Sequence, residues 1–476
     1  SHGRGYVARI IKKLDKRLGA ILGVFHGLAS GEFQVEAVER NKGALTVDPE
    51  FRNGAKDGDL VEIEAVRIGR YGNARAKVLS VAGSLKSEKA VSLIAIHMHG
   101  IPNIFPQTVL DEAAAAKPAP MQGREDWRTL PLITIDPADA KDHDDAVHAE
   151  PDEAEDNKGG HVITVAIADV AAYIRHGTAL DREALKRGNS TYFPDRVVPM
   201  LPERISNDLC SLRENEDRPA LAARIVVNRE GKKLRHSFHR IMMRSHAKLA
   251  YPQAQAAIDG APDAKTGDLL ESVLKPLWDA YAALKRERSR REPLDLDLPE
   301  RKILLNPDGT VDKVVIPERL DAHRLIEEMM ILANVAAAET LEQKSQPLVY
   351  RIHDQPSLAK QESLRDFLRT LDIPLAKGIA LKPKDFNGIL SRVRGTVNEQ
   401  LVNEVVLRSQ SQAVYSPENI GHFGLHLRKY AHFTSPIRRY SDLIVHRGLV
   451  KALGLGHDGL TTAEEEALED TAALIS

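Results

Sequence analysis

Ile133-Thr134-Ile135-Asp136-Pro137-Ala138-Asp139-Ala140-Lys141-Asp142-His143-Asp144-Asp145 joins a short β-branched strand to five carboxylates within ten residues. Where water is partly excluded, carboxylates so spaced repel one another by several kcal/mol unless a cation compensates. A hard divalent ion with oxygen ligands is one compensation, and Mg²⁺ keeps coordination positions open for substrate phosphates. A solvated acidic turn is the other reading of the run taken alone. An EF-hand is excluded, because that loop needs acids at positions 1, 3 and 5, Gly at 6 and Glu at 12, and no frame supplies them.

A second segment, His432-Phe433-Thr434-Ser435-Pro436-Ile437-Arg438-Arg439-Tyr440-Ser441-Asp442, places two guanidinium groups after a Ser-Pro turn, where a helix begins. Arginine forks match phosphate oxygens, and a helix N-terminus adds favourable backbone dipoles. An isolated Arg-Arg pair also suits a solvated helix face. Acidic metal ligands together with an arginine clamp are what phosphoryl-transfer chemistry needs, because both neutralise charge that spreads in the transition state.

These segments together resemble the ribonuclease II/R (RNB) family of 3′→5′ exoribonucleases, closest to its ribonuclease R branch. The family's acidic signature stands here as Asp136, Asp142, Asp144 and Asp145. Further family blocks stand as Tyr192-Phe193-Pro194, Pro199-Met200-Leu201-Pro202-Glu203 and Asn207-Asp208-Leu209-Cys210-Ser211-Leu212. Ala166-Ile167-Ala168-Asp169-Val170, Leu325-Ile326-Glu327-Glu328 and Gly421-His422-Phe423-Gly424-Leu425 follow in family order, so that matches run from Asp126 to Arg447.

The resemblance implies a Mg²⁺-dependent exoribonuclease that hydrolyses single-stranded RNA to nucleoside 5′-monophosphates. It implies that Asp136, Asp142, Asp144 and Asp145 hold one or two Mg²⁺ ions and that Arg438 contacts the scissile phosphate. Arg439 is the weaker candidate, since neighbouring helix residues do not share a face. Tyr251 matches a family tyrosine that stacks on the terminal base, a contact that tolerates any base. Contacts to the 2′-hydroxyl would distinguish RNA from DNA. His143 departs from the apolar or aromatic residue usual in the family and is expected to point outward. Adjacent Asp144 and Asp145 would face opposite ways in an extended strand, so both serve one site only if the loop departs from that geometry.

The implied fold is mixed α+β: an OB/cold-shock-type RNA-binding barrel over 1–82, a connector over 83–121, an α/β RNB catalytic domain over 122–455 and a truncated helical segment over 456–476. The residues themselves support a barrel: β-rich segments at 6–11, 20–25, 33–38, 44–48, 60–66 and 76–81 alternate with Gly, Asn and Asp turns. Phe25, Phe33 and Phe51 are candidates either for base stacking or for the core. Arg4, Arg9, Lys12, Lys13, Lys16 and Arg17 could follow an RNA backbone. Later, 162–168 reads as a buried strand and 181–187 as a helix. The longest helix is expected at 322–342, with Leu325, Ile326, Met329, Met330 and Ala333 as its apolar stripe. The charge run from Arg286 to Glu292 reads as an exposed helix end.

With 476 residues the chain suits two or three domains. Its 66 Lys+Arg against 68 Asp+Glu give a net charge of -2, so overall charge gives no support for nucleic-acid binding, and an RNA channel must be locally positive. Cys210 is the single cysteine, which excludes an intrachain disulfide and a Cys-type zinc site and fits a cytoplasmic protein. Its expected place is a small buried hydrophobe beside Leu209 and Leu212. No apolar run is long enough to span a membrane, and no signal peptide opens the chain. Both ends read as those of a fragment, and the family's C-terminal OB-type domain is absent. Two rival readings remain: a catalytically silent RNB-family RNA-binding or regulatory protein, and a cold-shock-like RNA chaperone with the rest as scaffold.

Overall fold

The computed structural model describes residues 21–38, 43–67, 74–84, 88–296, 298–307, 310–376 and 381–476. The expected strand at 6–11 and the basic residues Arg4 to Arg17 lie outside the described residues. The chain divides into two compact units, the first formed from 1–105, 190–199 and 300–317, the second from 106–189, 200–299 and 318–476.

In the first unit, β1 (Ile21–Gly27), β2 (Phe33–Ala37), β3 (Leu45–Val47), β4 (Asp59–Arg67) and β5 (Ala74–Ser84) close a barrel in the order β1-β2-β3-β5-β4. Closure leaves no free sheet edge. Alternation decides which side chains enter: Val35 and Ala37 are buried while Glu36 between them is exposed. Gly23 of β1 has no substitute, since a Cβ there would run into the Val35 side chain and the Glu36 carbonyl of β2. Phe25 is 1% exposed and stacks on Phe33 with ring centres 5.4 Å apart, so it is core and not a base-stacking platform. Phe51 alone of the three keeps an exposed ring, with the Lys77 ammonium 5.7 Å from its centre. A helix, Glu88–Met98, occupies part of the expected connector. The unit also holds the small hairpins Thr191–Tyr192 with Val197–Val198 and Lys302–Leu305 with Val311–Val315.

The second unit is built on a seven-stranded mixed sheet. Its strands are β6 (Glu125–Asp126), β7 (Ile133–Asp136), β8 (Asp145–Pro151), β9 (His161–Ala168), β10 (Asp217–Val227), β11 (Lys233–Arg244) and β12 (Ala247–Ala250), in the order β12-β7-β8-β9-β10-β11-β6. β9 is central and buried along nearly its whole length, which is why it reads as a continuous apolar run. The helix Asp321–Gln343 packs Leu325, Met329, Ala333 and Leu341 into one core with Ile133, Ile135, Val147 and Ile163 of the sheet, and Val445 and Leu449 of the helix Tyr440–Leu453 join it. Met329 is core filler, and Met330 is only partly buried beside it. The charged run ends the helix Lys275–Arg291, where Glu292 terminates it in a left-handed conformation at φ 52°. Among the described residues no helix is long and apolar enough to cross a membrane.

Candidate active site

The acidic loop is suspended between two strands. β7 ends at Asp136 and β8 begins at Asp145, so residues 137–144 form the bend between them. Asp144 lies just outside the strand and Asp145 is its first residue, which lets the two face different partners. The Asp144 main-chain carbonyl accepts from the Ala168 N–H (2.9 Å), tying the loop to β9. Its carboxylate accepts from the Ile437 N–H (3.0 Å) and lies 3.8 Å from the Arg438 guanidinium. Two segments 293 residues apart thus meet at Asp144.

Burial dominates the electrostatics. It pushes the Asp144 carboxyl up to about 7, with Asp142 and Asp442 adding to the rise and Arg438 opposing it. Asp145 is driven well above the ordinary carboxylate range by burial, then by Asp136 and Asp144, again against Arg438. Asp142 is raised by burial, with Arg438 the first side-chain charge opposing and Asp136 adding. Arg438 is therefore the cation these carboxylates share, and it offsets their burial and mutual repulsion only in part. Among the described residues no group of three or more His, Cys, Asp or Glu side chains is arranged so as to enclose a metal ion as it stands. The donor set nonetheless fits a hard cation: crowded carboxylate oxygens, that of Asp144 buried and the others partly so, whose charged form a divalent ion would favour.

Arg438 and Arg439 are positioned by a brace that sequence reasoning missed. Asp442 is fully buried, receives two hydrogen bonds from Arg439 (2.9 and 2.7 Å) and accepts the Ser435 N–H (2.7 Å). The brace fixes the turn from which Arg438 projects, its side chain 44% exposed and touching Ser435 Oγ at 3.1 Å. The spacing of Arg439 and Asp442 was visible, but not that the pair is buried. Asn334 plays a parallel part, accepting the Phe433 N–H (2.8 Å) and donating to the Tyr430 hydroxyl (3.1 Å).

Tyr251 opens the helix Tyr251–Ile258 directly after β12, which runs parallel to β7 with Ala250 beside Asp136. Its ring stacks on His323 at 4.0 Å and 20°. Burial raises the pKa of its hydroxyl, with Asp145 and Asp136 contributing next. His323 is fixed in turn by the Leu320 N–H, which donates to its Nδ1 (3.1 Å). Glu327 pairs instead with Arg319 and Arg288.

His143 does not point outward. It is 3% exposed, and its Nδ1 lies 2.7 Å from Asp136 Oδ2. The cause is its main chain: the N–H donates to Ser211 Oγ (3.1 Å) and the carbonyl accepts from the Leu212 N–H (3.0 Å), turning the ring inward. Cys210 is buried as expected, and burial raises its thiol pKa.

The family profile described as RNB domain matches residues 124–454, and that described as cold shock domain matches 38–106. Ribonuclease R of Vibrio parahaemolyticus is 38% identical over 447 residues, covering 93% of this chain and 53% of the relative. Ribonuclease R of Escherichia coli is 38% identical over 463 residues, covering 96% and 56%. The chain thus spans about half the length of these curated relatives. Mycoplasma genitalium RNase R, solved in complex with double-stranded RNA, has a TM-score of 0.85 at 24% identity over 98% of this chain and 84% of that one. A yeast pseudonuclease has a TM-score of 0.70 at 17% identity over 98% and 58%. Both structures share the fold.

Proposed function

This chain belongs to the RNB domain family, and we propose that it is a Mg²⁺-dependent 3′→5′ exoribonuclease that hydrolyses single-stranded RNA to nucleoside 5′-monophosphates. The observation that carries this reading is the meeting of the acidic loop and the arginine turn at Asp144. Asp136, Asp142, Asp144 and Asp145 would hold one or two Mg²⁺ ions. When bound, such ions lower the pKa of a water and steady the leaving 3′-oxygen. Arg438, its side chain nearly half exposed and its turn held by the Arg439–Asp442 brace, binds the scissile phosphate and gains strength as charge develops there. Tyr251, backed by His323, offers its ring to the 3′-terminal base.

The domain reading that accompanies this function is a barrel over 1–82 that binds RNA, a connector over 83–121, the catalytic domain over 122–455 and a terminal helical segment over 456–476. The accompanying reading of a cytoplasmic site of action is supported by the lone, buried Cys210, a thiol with no disulfide partner in the chain. The fold by itself is compatible with a silent protein, as the yeast pseudonuclease illustrates; the presence of all four aspartates, with Arg438 beside Asp144, favours the enzyme.

The test is shortening of a single-stranded oligoribonucleotide labelled at its 5′ end, with Mg²⁺ and with EDTA. Stepwise shortening from the 3′ end that EDTA abolishes is expected. Tight RNA binding with no shortening at any Mg²⁺ concentration would establish the silent RNA-binding protein instead.

A further inference from the structure

Among the described residues, His143 is the single hydrogen-bond partner of the Asp136 side chain. Asp136 ends β7 with its side chain 14% exposed, and no second hydrogen bond fixes the direction of its carboxylate. His143 itself has little freedom. Its main chain is pinned on both sides by Ser211 and Leu212, and Ser211, fully buried, donates to the Lys141 carbonyl (3.0 Å) two residues earlier. A carboxylate accepts, so Nδ1 carries the proton in either charge state of the ring, and Nε2 is left for other partners. His143 also lines a cavity of about 320 Å³ with Lys141, Arg213 and Lys248.

We infer that His143 is a positioning residue for Asp136: by holding Oδ2 it fixes the carboxylate plane and presents Oδ1 to a divalent cation. The inference rests on the reading of the acidic loop as a metal site. Partners of this kind orient a ligand before the metal arrives, and losing one weakens metal affinity by about 10–100-fold.

The experiment measures Mn²⁺ binding to the full chain by electron paramagnetic resonance, without RNA, for wild type, His143→Leu, His143→Asn and Asp136→Asn. Leucine and asparagine are nearly the same shape, but only asparagine keeps a donor where Nδ1 stands. Residue 143 keeps its main-chain bonds in both, so cooperative melting is expected to survive. The expected result is Mn²⁺ binding weakened about 10–100-fold by His143→Leu and within about threefold of wild type for His143→Asn. Wild-type affinity in His143→Leu, with Asp136→Asn impaired, would overturn the inference and leave the metal site standing. Equal losses in the leucine and asparagine variants would also overturn it, because shape and not the hydrogen bond would then matter. Wild-type affinity in Asp136→Asn would instead overturn the reading of the loop.

Discussion

The guanidinium of Arg439 lies against a fully buried carboxylate, whereas that of Arg438 reaches toward Asp144 with nearly half its side chain in solvent. Arg438→Ala is therefore expected to lower kcat by ~10²–10³-fold with little change in RNA affinity. Arg439→Ala strips a buried carboxylate of its partner and is expected to cost ~3–5 kcal/mol of stability. Single-turnover kinetics with thermal melts separate the two; equal kinetic losses at full stability would reduce the pair to an electrostatic patch. Asp144→Asn keeps the acceptor for the Ile437 N–H but loses the charge, so a drop of at least ~10²-fold in hydrolysis with RNA binding spared is expected. Near-normal turnover at saturating Mg²⁺ would refute the role of this loop. Tyr251→Ala should weaken the hold on short RNA ends by ~1–3 kcal/mol and leave longer final products, while Tyr251→Phe should match wild type. An unchanged product ladder in the alanine variant would return Tyr251 to a structural part. At this scale the acidic run and the arginine turn stand out in the sequence by residue type, and the structure brings the two together at Asp144. The inward turn of His143 is not legible in the sequence, since it depends on Ser211, 68 residues away.

Strands and helices followed local pattern wherever one period dominated. The barrel strands and the long helix Asp321–Gln343 were read within a few residues of their ends. The helix Glu88–Met98 lies among the turn residues of the expected connector, where no period stands out, and Phe25 is decided as core only by the closure of the barrel over it. What joins elements was hidden altogether. Asp169, at the end of β9, is 1% exposed and pairs with Arg124 (2.8 Å) and Arg240 (2.7 Å). Burial alone would raise its pKa, but Arg240 and Arg124 more than offset this and hold it below the ordinary carboxylate range. Asp169→Asn is expected to cost ~3–5 kcal/mol, because it leaves two buried guanidinium groups short of charge. A folded pKa below the unfolded one means that this stability is present at neutral pH and is lost as pH falls through the folded value. The gap in melting temperature between wild type and variant should therefore hold from pH 8 to about 5 and close below about 4. A gap that closes on the alkaline side would contradict the assignment.

For the molecule as a whole, the crowded carboxylates set function against stability. Asp145 has a folded pKa above its unfolded one, so in EDTA its charge destabilises the fold increasingly as pH rises past the ordinary carboxylate range. Asp145→Asn is expected to stabilise the EDTA-treated protein by ~1–2 kcal/mol at pH 8, less at pH 5, while abolishing hydrolysis. Melting curves at the two pH values check this; a destabilised variant would mean that the carboxylate is already compensated. The division into units was the part least available to sequence, because 190–199 and 300–317 group with the barrel far from it along the chain. That grouping has a consequence for the order in which the protein can be made. The barrel strands are complete once residue 84 has left the ribosome, but the unit that contains them is unfinished until residue 317 follows. At cellular elongation speeds the interval is on the order of tens of seconds, during which the nascent barrel must persist without its later hairpins.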